Sequence, residues 1–242
     1  MNNILSISGG KDSTAMLLEM LERNDPIHAA VFFDTGWEFP EMYSHIDKLE
    51  KYTRVKIWRL HPVLPFDYLL TSRPVIAKKG DMKGKVHRIG YGWPFPARRW
   101  CTGIKVDALN KFEKPIENAV SCIGYAADEL HRSLHNEKIL YRFPLQEYGI
   151  TEADALAICY SHGFDWDGLY NHFSRVSCFC CPLKKLDELR KLYNHFPNLW
   201  KRMLDMEDAM DAGTRWRGFK DYTTVHDLDK RFACENRQLK LF

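Results

Sequence analysis

The chain has 242 residues, of which 45% are hydrophobic and 28% charged, so it can bury a sizeable core and is not a disordered protein. The net charge of +3 is too small to indicate nucleic-acid binding by itself, and no apolar run is long enough to span a bilayer. Because the first residues lack a basic segment followed by a long apolar run, we expect no signal peptide, no membrane partner and a cytoplasmic protein.

The first two elements are a strand over residues 3–8 and a helix over residues 13–23, predicted from their apolar spacing. The turn between them is called the phosphate loop here and consists of Ser8, Gly9, Gly10, Lys11, Asp12 and Ser13. Backbone N–H groups and a helix N-terminus converge at such a turn, which suits a phosphate group. The glycines let the backbone approach an oxyanion, Lys11 offers a charge, the serines offer donors, and Asp12 orients the loop or helps to hold Mg²⁺. The loop does not have the Walker A pattern.

The following elements alternate between strand and helix. Strands are predicted over residues 27–33, 55–60 and 119–125, and helices over residues 40–52 and 102–112. This alternation predicts an α/β fold with a Rossmann-like open parallel sheet, in which ligands bind at the carboxyl ends of the strands. Three segments follow such ends: the phosphate loop, the segment Asp34, Thr35 and Gly36, and residues 124–132, which include Gly124, Asp128, Glu129, His131 and Arg132. The last segment contacts a nucleotide or a sulfur donor, or it is merely the start of a surface helix.

Residues 73–105, called the basic segment here, carry nine Lys or Arg against one acid, Asp81. Glycines and prolines interrupt the segment, which predicts a long mobile loop that closes over an anionic ligand or docks on a polyanion such as DNA or tRNA. The alternative is a solvated surface loop. Its aromatic residues Trp93, Phe95 and Trp100 either stack on bases or pack the loop against the core.

The C-terminal part is predicted to be mainly helical. Thr151 and Asp154 have the spacing of a capping box for a helix that ends near Gly163, and helical spacing continues after Pro182. We therefore predict two domains, a nucleotide-binding α/β domain over residues 1–150 and a cysteine-bearing segment with a helical region packed on it over residues 151–242.

Seven cysteines in a chain of this type favour metal or redox chemistry over a disulfide framework. Cys178 and Cys181 form a C-x-x-C pair, with Cys180 between them and Pro182 directly after, and Cys101 lies at a predicted helix start, where the pKa of a thiol is lowered. Cys101, Cys178 and Cys181 are the predicted metal ligands, with Cys180 as a candidate for the fourth position. The fourth ligand is open between Cys180, Cys122, a histidine and none, and zinc or no metal at all are alternatives to an iron-sulfur site. Cys122 and Cys159 are interpreted as core residues.

Several of these segments together resemble one superfamily. SGGKDS is similar to the pyrophosphate loop of the PP-loop ATP pyrophosphatases. DTGWEFPEMYSHID, IGYAADELHRS and the segment from YRFPLQEYGI to CYSHG resemble phosphoadenosine phosphosulfate (PAPS) reductases within it. The resemblance covers about residues 3–185. It implies binding of ATP by the phosphate loop, by Asp34, Thr35 and Gly36, and by Gly124 and Arg132, with Lys11, Asp12 and Ser13 as catalytic residues. It also implies a [4Fe-4S] cluster on Cys101, Cys178 and Cys181.

The departures from the family suggest which reaction to expect. The phosphate loop is intact here, which favours ATP as substrate, and the tail ACENRQLKLF lacks the Gly-Leu-His that follows the redox cysteine of the reductases, so Cys234 is interpreted as buried or incidental. The first hypothesis is an ATP-dependent sulfurtransferase that forms AMP and pyrophosphate and receives sulfur from a donor protein. The alternatives are a reductase that releases sulfite from a sulfonucleotide, and a non-catalytic nucleotide-binding module with structural zinc.

Overall fold

The computed structural model describes residues 1–132, 139–215 and 218–239, and the chain forms two compact units. The first unit combines Met1–Pro62 with Ile104–Ser177, and the second combines Val63–Gly103 with Cys178–Phe242. These units are not the segments 1–150 and 151–242 of the sequence-based domain division, which stays a prediction.

The described residues contain seven strands, numbered in chain order. They are β1 (Asn2–Ile7), β2 (Ala29–Phe33), β3 (Ile57–Leu60), β4 (Pro74–Ile76), β5 (Val86–Ile89), β6 (Ala119–Ile123) and β7 (Leu140–Arg142). The strands predicted over residues 3–8, 27–33, 55–60 and 119–125 are β1, β2, β3 and β6. Three short strands, β4, β5 and β7, were not predicted.

The helices in the same ranges are numbered likewise. They are α1 (Lys11–Glu22), α2 (Pro40–Thr53), α3 (Phe66–Thr71), α4 (Trp100–Glu113), α5 (Pro144–Tyr148), α6 (Glu152–Ser161), α7 (Leu169–His172), α8 (Leu186–His195), α9 (Pro197–Asp208), α10 (Ala212–Arg215) and α11 (Val225–Leu239). Two 3₁₀ helices cover Ala127–Arg132 and Trp166–Gly168. The predicted capping box is present at the start of α6, where Asp154 N donates to Thr151 Oγ1 at 3.2 Å and Thr151 N donates to Asp154 Oδ2 at 3.0 Å.

The first unit is built on a five-stranded sheet in the order β3-β2-β1-β6-β7, and every neighbouring pair is parallel. The predicted Rossmann-like open parallel sheet is therefore confirmed. The chain runs outward from β1 to β2 and β3 on one side and to β6 and β7 on the other. This reversal of strand order makes the carboxyl ends of β1 and β6 a switch point, where such folds leave a crevice for ligands.

Burial explains why these segments form central strands. All five residues of β2 are buried, and β1 buries Ile4, Leu5 and Ile7 almost completely, as expected for strands covered on both faces. Ile4, Ala29 and Val31 form one core cluster with partly buried residues that include Leu109 and Phe112 of α4 and Leu60 of β3. The sheet is thereby held at a fixed position beneath the loops that follow β1 and β6.

The second unit contains a two-stranded antiparallel sheet of β4 and β5 within the basic segment. The prediction of a long loop was therefore wrong for the residues of these two strands, and its mobility stays a prediction. Short-range backbone pairing replaces the loop, because Ala77 N donates to Lys85 O and Gly84 N donates to Ala77 O, each at 2.9 Å. Helices α8, α9 and α11 pack on one another in the same unit.

The described ranges contain no helix that is both long enough and apolar enough to cross a membrane.

Candidate functional site

The phosphate loop lies between the buried strand β1 and helix α1, and its serines hydrogen-bond within the loop. Ser13 Oγ accepts from Ser8 N at 3.1 Å and donates to Gly10 O at 3.0 Å, while the Ser8 and Ser13 hydroxyl oxygens lie 3.1 Å apart. Helix α1 begins at Lys11, with Gly10 as an N-cap that has no side-chain hydrogen bond. The N-cap residue therefore places no side chain of its own over the N-terminus of α1, which suits an oxyanion.

Two glycines are required by the close packing of this loop. Gly9 has φ +79°, and a Cβ there would lie 2.8 Å from Met42 Cε. Gly124 follows β6, and a Cβ at that position would lie 2.9 Å from the backbone oxygen of Asp12. The structure thus brings together two of the segments that the sequence identified, the phosphate loop and the end of β6.

Lys11 is buried, with 5% of its surface exposed. Its Nζ lies 2.7 Å from Asp12 Oδ1 and 2.7 Å from Glu152 Oε2 of α6. Burial by itself lowers the pKa of Lys11, but the hydrogen bonds and charges of the two carboxylates outweigh it and leave the pKa raised. The lysine is therefore a fixed cation at the start of α1.

The surroundings of Asp12 disfavour the ionised form of its carboxylate. Burial raises its pKa, and the nearby carboxylates of Glu152 and Glu129 add to this rise, although Lys11 opposes it. Glu129 is itself buried. Three carboxylates, those of Asp12, Glu129 and Glu152, thus lie near the single ammonium of Lys11.

The back of the loop is held by aromatic side chains that sequence reasoning missed. Tyr170 of α7 accepts a hydrogen bond from Lys11 N at 2.7 Å, and Trp166 Nε1 donates to Gly9 O at 2.7 Å. His45 of α2 lies 2.8 Å from Thr14 Oγ1 through its Nε2 and stacks on Trp166 with ring centroids 4.4 Å apart. No local pattern marks these residues, because they reach the loop only through the tertiary fold.

The buried environment makes His45 a neutral side chain. Burial lowers the pKa of His45 to about 3, and the positive charge of Lys48 acts in the same direction. Its ring therefore supports the loop by packing and hydrogen bonding rather than by charge.

The segment Asp34, Thr35 and Gly36 follows β2 and is organised by Glu38, another residue that the sequence did not single out. Thr35 Oγ1 donates to both carboxylate oxygens of Glu38, at 2.7 and 2.8 Å, and Tyr43 Oη donates to Asp34 Oδ1 at 2.8 Å. Burial raises the pKa of Glu38, with the Asp34 charge adding to the effect. The carboxylates therefore hold this turn in one conformation at the carboxyl end of β2.

Residues 124–132 form the third predicted segment. Asp128 Oδ1 accepts from the backbone nitrogen of Glu152 at 3.1 Å, which ties this segment to the start of α6. Asp128 and Glu129 thus lie on the same side of the unit as Lys11. The side chains of His131 and Arg132, both named from the sequence, lie outside the described residues.

The predicted metal ligands all belong to the second unit. Cys101, Cys178 and Cys181 are partly exposed, whereas Cys180 is fully buried and its pKa is raised well above the ordinary value by burial. Cys101 lies in the first turn of α4, where we expected a lowered pKa. Burial instead raises its pKa, and the proximity of Cys181 adds to the rise.

The donor chemistry suits a metal, but the side chains do not converge in the structure. In the described part of the chain, no three His, Cys, Asp or Glu residues are grouped so that they could hold a metal ion. Lys184 is buried within electrostatic range of Cys178, Cys180 and Cys181; burial lowers its pKa while the nearby acidic and thiol groups oppose this. Lys184 and the three thiols thus lie close together in the second unit.

The remaining cysteines fall into two classes. Cys122 and Cys159 are fully buried, and burial raises the pKa of each to about 12, as expected for core residues. Cys234 of α11 is exposed, so the first of its two interpretations, a buried residue, was wrong, and the second, an incidental cysteine, stays a prediction.

The aromatic residues of the basic segment pack inside the second unit. Trp93 is buried and its Nε1 donates to Glu207 Oε1 at 3.2 Å, while Trp100 Nε1 donates to Gly92 O at 3.0 Å. The Trp100 ring lies against Phe66, with centroids 5.1 Å apart. Of the two interpretations of these tryptophans, packing against the core fits the structure.

Comparison with known proteins identifies relatives of this arrangement. Residues 2–184 match the family model described as phosphoadenosine phosphosulfate reductase domain. An uncharacterized 37.8 kDa protein of Escherichia phage 186 is 32% identical, over 93% of this chain and 80% of that protein. Two uncharacterized proteins of Methanocaldococcus jannaschii are 27% and 23% identical, over 82% and 97% of this chain. The chain spans 40% and 56% of the length of those two relatives.

Among solved structures, the crystal structure of phosphoadenylyl-sulfate reductase from Candida auris in a phosphate complex is similar, with a TM-score of 0.47 and 15% identity. The match covers 71% of this chain and 77% of that chain.

Proposed function

Because the chain belongs to the phosphoadenosine phosphosulfate reductase domain family, we propose that it is an enzyme that binds an adenine nucleotide on the phosphate loop. The nucleotide is ATP, which the enzyme cleaves between the α and β phosphates. The observation that carries this proposal is the intact loop, with Lys11 buried at the start of α1 directly after a glycine N-cap. The proposed reaction is adenylation of an acceptor, followed by displacement of AMP by sulfur.

In this reaction an acceptor oxygen attacks the α-phosphorus. The bond from that phosphorus to the oxygen bridging to the β-phosphate breaks, and pyrophosphate leaves with the bonding electrons. The loop N–H groups and Lys11 stabilise the charge that develops on the leaving pyrophosphate, which is electrostatic preorganisation rather than acid-base catalysis. Gly9 and Gly124 let the loop pack closely against Met42 and the end of β6, because neither carries a Cβ, and so fix the position of the loop N–H groups.

Mg²⁺ would neutralise part of the polyphosphate charge when it is bound. Asp12 is the loop carboxylate that would hold it, together with the phosphates of the nucleotide. The carboxylates near Lys11 fit this role by chemistry, since hard oxygen donors are what Mg²⁺ prefers. Ser13 and the segment Asp34, Thr35 and Gly36 complete the proposed nucleotide site, and the Arg132 assignment stays a prediction.

We also propose that Cys101, Cys178 and Cys181 bind a metal group, either a [4Fe-4S] cluster or Zn²⁺. The support is the partial exposure of these three thiols and the buried Lys184 nearby. A cluster at this position would supply the sulfur chemistry. Cys180 is the weakest of the four candidates because its side chain is 1% exposed.

A second candidate is reduction of a sulfonucleotide with release of sulfite. The exposed thiol of Cys234 favours it, since that reaction needs an accessible cysteine near the C-terminus. The altered tail sequence argues against it.

The test measures products from ATP, with water taking the place of the acceptor oxygen, and from PAPS with a thiol reductant. We expect AMP and pyrophosphate in equal amounts from ATP, with Lys11→Ala slowing their formation at least about a hundredfold. Lys56→Ala is the matched control, because Lys56 is an exposed lysine of the same unit that pairs only with Glu50 in the described ranges. If the protein forms sulfite from PAPS but no AMP from ATP, the proposed ATP cleavage is wrong and the reductase activity takes its place.

A further inference from the structure

The ammonium of Lys11 is shared between two carboxylates of different origin. Asp12 is its neighbour in the phosphate loop, whereas Glu152 comes from the start of α6, far away in sequence. Both Nζ–O distances are 2.7 Å. The Lys11 side chain is 6% exposed, that of Asp12 22% and that of Glu152 36%. Glu152 is thus the partner that solvent, or a ligand arriving from solvent, reaches most easily.

The backbone of Glu152 is held firmly even though its side chain is accessible. It is the first residue of α6, directly after the Thr151 N-cap, and its backbone nitrogen donates to Asp128 Oδ1 at 3.1 Å. Helix α6 packs along α1, and Cys159 Sγ donates to Lys11 O at 3.4 Å. The carboxylate can therefore rotate away and return to the same place without movement of the helix.

A pyrophosphate group on the loop requires the positive charge of Lys11. In the ligand-free protein the carboxylates of Asp12 and Glu152 already pair with this charge. An ammonium has three N–H donors, and two of those of Lys11 point at Asp12 and Glu152. The third N–H is left for a phosphate, but two carboxylates already share the positive charge, so a phosphate that contacts Lys11 competes with them for this charge. The more exposed of the two, Glu152, is the one to be displaced.

We propose that Glu152 competes with the pyrophosphate group for Lys11, so that it weakens pyrophosphate binding and speeds the release of this product. This inference rests on the proposed function, because it assumes that the phosphate loop binds the β and γ phosphates. Glu152 is a positioning residue here, since it acts through Lys11. In the ligand-free protein the Glu152 carboxylate forms an ion pair with the buried ammonium of Lys11. After bond cleavage it forms this ion pair again as pyrophosphate leaves.

The test compares the affinity for inorganic pyrophosphate of the wild type and Glu152→Gln by isothermal titration calorimetry at a fixed Mg²⁺ concentration. Loss of the competing charge is expected to tighten binding about tenfold, or about 1.4 kcal/mol. The affinity for adenosine, which has no phosphate, is expected to stay unchanged. Glu117→Gln removes an exposed carboxylate of the same unit that lies outside the loop, and it should behave as the wild type.

A double-mutant comparison shows whether Glu152 acts through Lys11. In a Lys11→Ala background, Glu152→Gln should have no effect on pyrophosphate affinity. Glu152→Asp, which keeps the charge on a shorter side chain, should give an intermediate affinity. Melting temperatures of all variants separate these effects from loss of fold.

Weaker or unchanged pyrophosphate binding by Glu152→Gln would overturn the inference, and so would an equal gain in the Lys11→Ala background. Failure of the proposed function has a different signature. If the wild type binds pyrophosphate and responds to Glu152→Gln but forms no AMP from ATP, the competition between Glu152 and pyrophosphate stands, whereas the proposed reaction with pyrophosphate as its product is wrong. If the wild type binds neither pyrophosphate nor ATP, both are wrong.

Discussion

The phenolic oxygen of Tyr170 lies 2.7 Å from the backbone nitrogen of Lys11 and accepts its hydrogen bond. The two residues are far apart in sequence, and both are buried or nearly so. This contact gives the first N–H of α1 a hydrogen-bond partner within the protein. The side of the loop opposite Tyr170 is left for a ligand.

Replacing Tyr170 by Phe removes the acceptor and leaves that buried N–H without its partner. We expect the free energy of unfolding to fall by about 1–2 kcal/mol, as measured by urea denaturation. Tyr68→Phe is the control, since Tyr68 is an exposed tyrosine of the other unit. Equal stability of the two variants would show that the hydroxyl contributes nothing to the loop.

His45 predicts how stability depends on pH. The pKa of His45 falls from the ordinary 6.5 to about 3 because the ring is buried. Between these two values the ring is protonated in the unfolded chain and neutral in the folded chain. The stability from the neutral ring is complete above pH 6.5 and is lost as the pH falls, at about 1.4 kcal/mol per pH unit.

The measurement is urea denaturation of the wild type and His45→Gln at about pH 7.5 and about pH 5. The wild type should lose about 2 kcal/mol more than the variant between about pH 6.5 and pH 5. If both lose the same amount, His45 is not the group responsible.

Gly124→Ala tests the close approach between β6 and the phosphate loop. A Cβ at this position would lie 2.9 Å from the Asp12 oxygen, so the loop must shift, at a cost of about 1–3 kcal/mol in stability. ATP binding should weaken as well, because the N–H groups move with the loop.

Gly103→Ala is the matched change for this prediction. Gly103 lies within α4, and a Cβ there meets nothing within 4 Å. Alanine should raise stability by up to about 1 kcal/mol and leave ATP binding unaltered. Wild-type ATP affinity in Gly124→Ala would contradict the proposed role of this approach.

The cysteine proposal predicts a metal in protein purified without oxygen. We expect iron with matching acid-labile sulfide and a broad visible absorption band, all lost in Cys178→Ala. Cys122→Ala should keep them, since Cys122 is a buried thiol of β6 in the first unit. Zinc in place of iron would make the group structural, and absence of any metal would remove the cluster from the proposal.

Local patterns were sufficient to predict the framework of the first unit. The strand, glycine turn and helix around Lys11 and the capping box of Thr151 and Asp154 depend on residues a few positions apart, and they are confirmed. The start of α1 at Lys11, two residues earlier than predicted, follows from Gly10, whose extended backbone makes it the N-cap.

Other parts could not be predicted because they depend on distant contacts. Glu152 and Tyr170 reach Lys11 only because α6 and α7 fold against α1, and no periodicity in the sequence carries that information. The three-residue strand β7 is too short to produce a pattern of its own and exists because it pairs with β6. Likewise, alternation alone does not tell which of three thiols in four residues points into the core, and here it is Cys180.

The division of the chain also sets an order of events during synthesis on the ribosome. The second unit joins Val63–Gly103 to Cys178–Phe242, so its first stretch emerges well before the residues that complete it. Strand β1 also cannot complete its pairing until β6 has been synthesised, because Asn2 pairs with Ala119. Apolar surfaces of both units are thus exposed while the middle of the chain is being made. Slower translation at low temperature, or chaperones that shield the nascent chain, should increase the yield of folded protein.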